Sequence, residues 1–107
     1  MASDLQVQYS FITPSSAGTT QIVAAQPGQR ICVLQCCVIT GAANNVKFVS
    51  GGVTDISATF PLAQNGGFVL PFVQVGWFKT AIGESLDFNM TASSSTAVQV
   101  VWCPHSS

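Results

Sequence analysis

Four cysteines, one histidine and two neighbouring carboxylates are the side chains whose types and spacing could do chemistry in this sequence. Cys32, Cys36, Cys37 and Cys103, with His105, form the candidate metal donors. Zinc takes convergent ligands, ordinarily in paired spacings such as CxxC or HxxxH. Cys36 and Cys37 are adjacent in a run of β-forming residues, so their side chains point to opposite faces of a strand. Cys32 and Cys36 share a face by simple alternation, yet lie about 13 Å apart along it. Cys103 and His105 resemble a ligand pair but stand near the chain's end. The expectation is no metal and no cofactor, with the thiols acting as small apolar fillers. A disulfide from Cys103 to one of the others requires the last strand to lie beside the cysteine strand. It would be out of place in a reducing compartment.

Catalysis fares no better. His105 is the single imidazole, and no Ser-His-Asp or Cys-His-Asn set can be built without it. A frayed terminal segment holds a base poorly. Glu84 and Asp87 are the closest carboxylates, but in a turn-to-strand segment this spacing turns them to opposite sides. Glu84 is better explained by turn electrostatics, with Lys79 or Arg30 as its partner. Gly51-Gly52 and Gly66-Gly67 open no helix, and no GxxxxGK[ST] follows, so neither is a phosphate loop. The sequon Asn89-Met90-Thr91 falls inside an expected strand and reads as coincidence. The chain is not expected to be an enzyme.

The elements around these residues are short strands. Leu5, Val7, Tyr9 and Phe11 alternate with Gln6, Gln8 and Ser10, which gives a strand with one apolar face. Pro14 to Gly18 detaches it from the rest, so this piece is either an edge strand or an arm that adds its strand to a neighbouring subunit. The arm, residues 1–18, is the reading adopted. Thr19 to Ala25 is a strand closed by the turn Gln26-Pro27-Gly28. Arg30 to Thr40 is the most strongly β segment and is apolar on both faces, which predicts cover on both sides. Further strands are expected over Val46–Ser50, Thr54–Leu62, Phe68–Leu70, Val75–Phe78, Ser85–Thr91 and Thr96–Cys103, separated by turns such as Asn65-Gly66-Gly67. This spacing, with no helical period and no internal repeat, predicts an all-β, single-domain antiparallel β-sandwich, taken as an eight-stranded jelly roll. The sandwich spans residues 19–103, and 104–107 form a tail.

Composition sets the partner class. Of 107 residues only Arg30, Lys47, Lys79, Asp4, Asp55, Glu84 and Asp87 are charged, or 7%, against about 25% in an ordinary domain. Three scattered cations cannot make a phosphate-binding stripe, which argues against nucleic acid. No apolar run approaches the ~20 residues of a spanning helix, which argues against a membrane protein. Asp4 stands where a secretory leader carries basic residues, so the chain is expected to be made in the cytoplasm without a cleaved signal. Low charge with high apolarity favours association, so the protein is expected to work assembled.

The segments GQRICVLQCCVIT, VKFVSG, NGGFVLP, GWFKTAIGESLDFNMTAS and VQVVWC, between Gln29 and Cys103, together resemble a family of small virion proteins of tailed phages. The chain departs from that pattern at Cys32, Cys36 and Cys37, where aliphatic or small residues are usual. The resemblance implies a jelly-roll protein that cements or decorates the capsid, expected as a homotrimer over junctions of the major capsid protein, on the virion surface. Leu5, Val7, Tyr9 and Phe11 would then contact the shell or a neighbour. Trp77, Phe78, Cys37 and Ile39 would form the self-association surface. The alternative is a glycan-binding module of a phage tail, using Tyr9, Trp77, Phe78 and Trp102 as a stacking platform.

Overall fold

The computed structural model describes residues 7–105, in which every regular element is a β-strand. The strands are β1 (Gln8–Ile12), β2 (Gly18–Val23), β3 (Arg30–Thr40), β4 (Asn44–Ser50), β5 (Thr54–Asp55), β6 (Phe60–Leu62), β7 (Gly67–Leu70), β8 (Phe78–Lys79), β9 (Leu86–Met90) and β10 (Thr96–His105). They form two antiparallel five-stranded sheets. One runs β1-β10-β3-β7, with β8 also on β3; the other runs β2-β9-β4-β5, with β6 also on β4. The chain is thus an all-β sandwich in a single compact domain, as the strand spacing predicts.

The long strands lie in the middle because they carry apolar residues at every second position. Val98, Val100 and Trp102 of β10 and Cys36 and Val38 of β3 face Val46 and Phe48 of β4 and Leu86, Phe88 and Met90 of β9. Phe48 makes an edge contact with Phe88 at 5.7 Å between ring centres and stacks on Phe78 at 5.2 Å. Each such fully buried side chain contributes roughly 1.5–3 kcal/mol of transfer free energy.

The described residues form ten strands where eight were expected, the last strand runs on to His105 where a tail from 104 was expected, and three further expectations need correction. The arm is, from Gln8 to Ile12, an edge strand of this chain's own sheet, in register with Trp102 to Val98. The following segment is also tied down: Pro14 accepts from Thr96 N–H, and Ala17 N–H donates to Ser93 Oγ. Thr54–Leu62 is not one strand but two, because β4 is shared along its length. β5 pairs with its end, and β6 with its start. Val75–Phe78 forms no strand apart from Phe78 itself. Between β7 and β8 the chain loops out, keeping contact with β3 through Val73 N–H to Leu34 and Trp77 N–H to Val33.

That loop marks an irregularity in β3. Val101 pairs with Gln35 and Trp102 with Val33, so Leu34 has no partner on β10. An inserted residue of this kind shifts the inward-facing parity of a strand. Ile31 and Val33 point to the main core before it, and Cys36 and Val38 after it. Cys32 and Leu34 therefore turn outward, where they join Cys103 in a second small cluster. Alternation had put Cys32 and Cys36 on one face; the bulge puts them on opposite faces.

The turn at Asn65 is where the sequence places it. Gly66 N–H closes it onto Ala63, and Asn65 takes a φ of 59°, a region asparagine enters at low cost.

Candidate interaction surface

Where the sandwich core consumes one face of each sheet, the two outer faces differ in chemistry. On the β2-β9-β4-β5 sheet the outward positions are polar apart from Val49, which its neighbours cover. Thr19, Asn89 and Lys47 form one cross-strand row, and Asp87 and Asp55 flank Val49 in the next. Lys47 bridges Asp55 at 2.9 Å, and Asn89 Nδ2 donates to Thr19 Oγ1.

The outer face of the β1-β10-β3-β7 sheet carries no charged residue in its three central rows, and Lys79 of β8 stands opposite Cys32 beyond the bulge. One row reads Phe11, Gln99, Cys37, Val69; its neighbour holds Ala97, Ile39 and Gly67; on the other side stand Tyr9, Val101 and Gln35. Tyr9, Phe11, Ile39 and Val69 are 59%, 62%, 53% and 60% exposed. Scattered single apolar residues are ordinary on a surface, but a contiguous set without charges is the mark of a contact surface. A cleft of about 400 Å³ continues this face past the end of β1, between Thr13, Ile39, Asn65 and Ala97. No carboxylate, imidazole or ammonium is among its lining residues.

The expected contact residues are brought together only in part. Val7, Tyr9 and Phe11 are exposed on or beside β1, with the Tyr9 and Phe11 rings 6.3 Å apart. Leu5 lies outside the described residues. Cys37 and Ile39, assigned by sequence to self-association, stand on the same face as Tyr9 and Phe11, because β10 alone separates β1 from β3. Two expected surfaces are thus one. Trp77 stands on the β7–β8 loop, 42% exposed, with its indole N–H donated to the Pro71 carbonyl at 2.7 Å. Phe78 is not part of an outer surface: it packs on the core against Phe48. Trp102 is likewise buried, with its indole N–H donated to Ser10 Oγ.

Sequence reasoning missed Val69, Phe72 and Val75, which are exposed beside this face or on the loop that follows it. The signal was present at Val69, whose neighbours Phe68 and Leu70 pack inward. A three-residue apolar run hides which member points out.

Glu84 also departs from expectation. Its partner is neither Lys79 nor Arg30: Ser50 Oγ donates to its carboxylate at 2.6 Å and accepts from Ala81 N–H. Arg30 instead donates to the Thr80 carbonyl. Burial pushes the Asp87 carboxyl up from its ordinary value, opposed by hydrogen bonds from Ser85 and the Gly52 N–H. Burial also pushes the Cys36 thiol up to about 12, as befits an inert core sulfur.

Comparisons of the chain with family models, with curated proteins and with solved structures return no match.

Proposed function

We propose that the protein is a structural component of a tailed-phage virion that binds the assembled capsid and stabilises it. The observation that carries this reading is the contrast between the two outer faces. One is polar and charged, suited to solvent. The other has three rows over four strands with no charge, broken only by Gln35 and Gln99, and exposes Tyr9, Phe11, Ile39 and Val69, which suits burial against another protein surface. In this reading Tyr9, Phe11, Ile39 and Val69 seat the sandwich on the major capsid protein. The β7–β8 loop, with Trp77 at its end, meets the neighbouring copy in a homotrimer.

Two further features support it. The strand order, first beside tenth beside third and second beside ninth beside fourth, supports reading the sandwich as a jelly roll. The sequence segments between Gln29 and Cys103 resemble small phage virion proteins of that architecture. Fold alone does not fix function, so the weight rests on the surface. A glycan platform is less well supported, because Trp102 is buried and Phe78 packs on Phe48, which leaves Tyr9 and Trp77 as the exposed rings of the four.

The mechanism is thermodynamic. A protein that binds only the closed shell stabilises it by mass action, and several linked copies convert weak contacts into durable attachment. The test is co-sedimentation of purified protein with phage shells that lack it, together with the heat resistance of the decorated shells. Saturable binding at many copies per shell, with raised resistance, is the expected result. Failure to co-sediment, or only a handful of copies per virion by quantitative proteomics, would overturn it.

A further inference from the structure

We propose that Cys32 and Cys103 are a dithiol site that closes to a cross-strand disulfide when the protein meets a peroxide. The two residues are directly opposite in the antiparallel register of β3 and β10. Opposed residues in such a ladder have Cα atoms about 4.5–5.5 Å apart, inside the range that disulfides span. Both side chains leave the outer side of the sheet and share one cluster with Leu34, apart from the main core. The two thiols stand close enough for each to influence the other's protonation. The other two cysteines have no such neighbour: Cys36 belongs to the main core, and Cys37 lies opposite Gln99 on β10.

The pairing depends on the bulge at Leu34. Without it, Cys32 would point into the sandwich core with Cys36, and Cys103 would face a different residue. The inserted residue therefore serves to bring two thiols, 71 positions apart in sequence (103 − 32), onto one side of one ladder.

Oxidation proceeds in two balanced steps. A thiolate sulfur attacks a peroxide oxygen and the O–O bond breaks, giving a sulfenic acid and a hydroxide that takes up the proton lost when the thiol ionised and leaves as water. The second sulfur then attacks the sulfenic sulfur; the S–S bond forms, the S–O bond breaks, and the departing hydroxide takes the second thiol's proton as water. Two electrons pass from the sulfurs to hydrogen peroxide, which ends as two waters.

Access is set by the β7–β8 loop. Both thiols are 2% exposed, and Cys32 Sγ donates to the Val75 carbonyl of that loop at 3.7 Å. Burial raises both thiols, opposed by the smaller effect of the Lys79 ammonium opposite Cys32 on β8, so thiolate is scarce while the loop is seated. The reaction accelerates as the loop lifts and as pH rises. Once formed, the bond ties the two central strands of the sheet and restricts the unfolded chain.

The experiment treats the purified full chain with hydrogen peroxide, removes the excess with catalase, denatures, alkylates and maps peptides without reduction. The expected result is a linked peptide pair containing Cys32 and Cys103, reversed by dithiothreitol, with Tm raised by roughly 10 °C. Alkylation of both Cys32 and Cys103 after treatment would overturn the proposal. So would a different linkage, or a sulfinic acid at Cys32 with no link. Cys103→Ser should lose both the linked peptide and the rise in Tm. Should that variant fail to fold, the peptide map of the unsubstituted protein decides alone.

Discussion

Gly76 rests directly on Cys32: a Cβ built at Gly76 would lie 2.2 Å from the cysteine sulfur. The glycine also holds a φ of +86°, which L side chains rarely adopt. This contact seats the β7–β8 loop on the outward half of β3 and covers the thiol cluster. Gly76→Ala is expected to destabilise the fold by about 2–4 kcal/mol, from the clash and the backbone strain together. Combining it with Cys32→Ala should recover the steric part and leave the backbone part. Urea unfolding of the two single variants and the double variant measures the split. Strict additivity would show that the contact is not the cause.

The face around Phe11 and Ile39 should tolerate charge as a monomer and not as an assembly. Phe11→Asp and Ile39→Lys each replace a half-exposed apolar side chain. Each is expected to change unfolding free energy by less than about 1 kcal/mol. Shell binding should fall by at least about tenfold, since a buried unpaired charge costs more than 1.4 kcal/mol. Thr19→Asp, on the opposite sheet, is the control that should bind normally.

Ser50 joins β4 to the turn before β9 by donating to Glu84 and accepting from Ala81 N–H. Ser50 is 1% exposed, so its removal leaves a carboxylate and a peptide N–H short of a partner. Ser50→Ala is expected to cost about 1.5–3 kcal/mol, the range for a hydrogen bond to a charged group. Glu84→Gln should cost less, because an amide oxygen still accepts. Chemical denaturation with an unchanged m-value checks both.

Asn44 organises the turn that follows β9. Its Oδ1 accepts from the N–H groups of Thr91 and Ala92, and its Nδ2 donates to the Ala92 carbonyl and Ser94 Oγ. Asn44→Ala should cost about 2–4 kcal/mol, by leaving several of these groups unsatisfied at once. Asn44→Asp keeps the acceptor and loses the donor, and is expected to fall between. Thermal unfolding of the three proteins ranks them.

Asp87 gives a pH dependence of definite sign. Its folded pKa lies above the ordinary 3.8, chiefly through burial. The folded protein therefore holds the proton more tightly than the unfolded chain, and stability falls as pH rises from about 3.8 through the folded pKa. Above that value the loss is complete. Asp87→Asn should remove this slope while keeping an acceptor for Ser85 Oγ. Unfolding free energies measured across the acid range test it. An equal slope in the variant would assign the effect elsewhere.

The sequence by itself determined the class of the fold and the chemistry of its surface. Alternation in β9 and β10 fixed which residues face inward, since a period of two leaves each strand one apolar face; in β1 the apolar set of Tyr9 and Phe11 faces outward instead, and Ser10 and Ile12 turn in. The turn at Asn65 was legible because few residues accept its backbone conformation. The scarcity of charge was legible by counting. Tertiary structure decided everything that depends on which strand lies beside which. It placed β1 against β10, so the apolar positions of β1 and β3 became one surface rather than two. It drew Phe78 into the core against Phe48 and gave Glu84 a serine in place of a lysine. Above all it set the bulge at Leu34, which reverses the parity of β3 and brings Cys32 out beside Cys103. A single inserted residue leaves no local mark in a run as uniformly apolar as RICVLQCCVIT. Either register would look equally good from the sequence, and only the pairing with β10 distinguishes them.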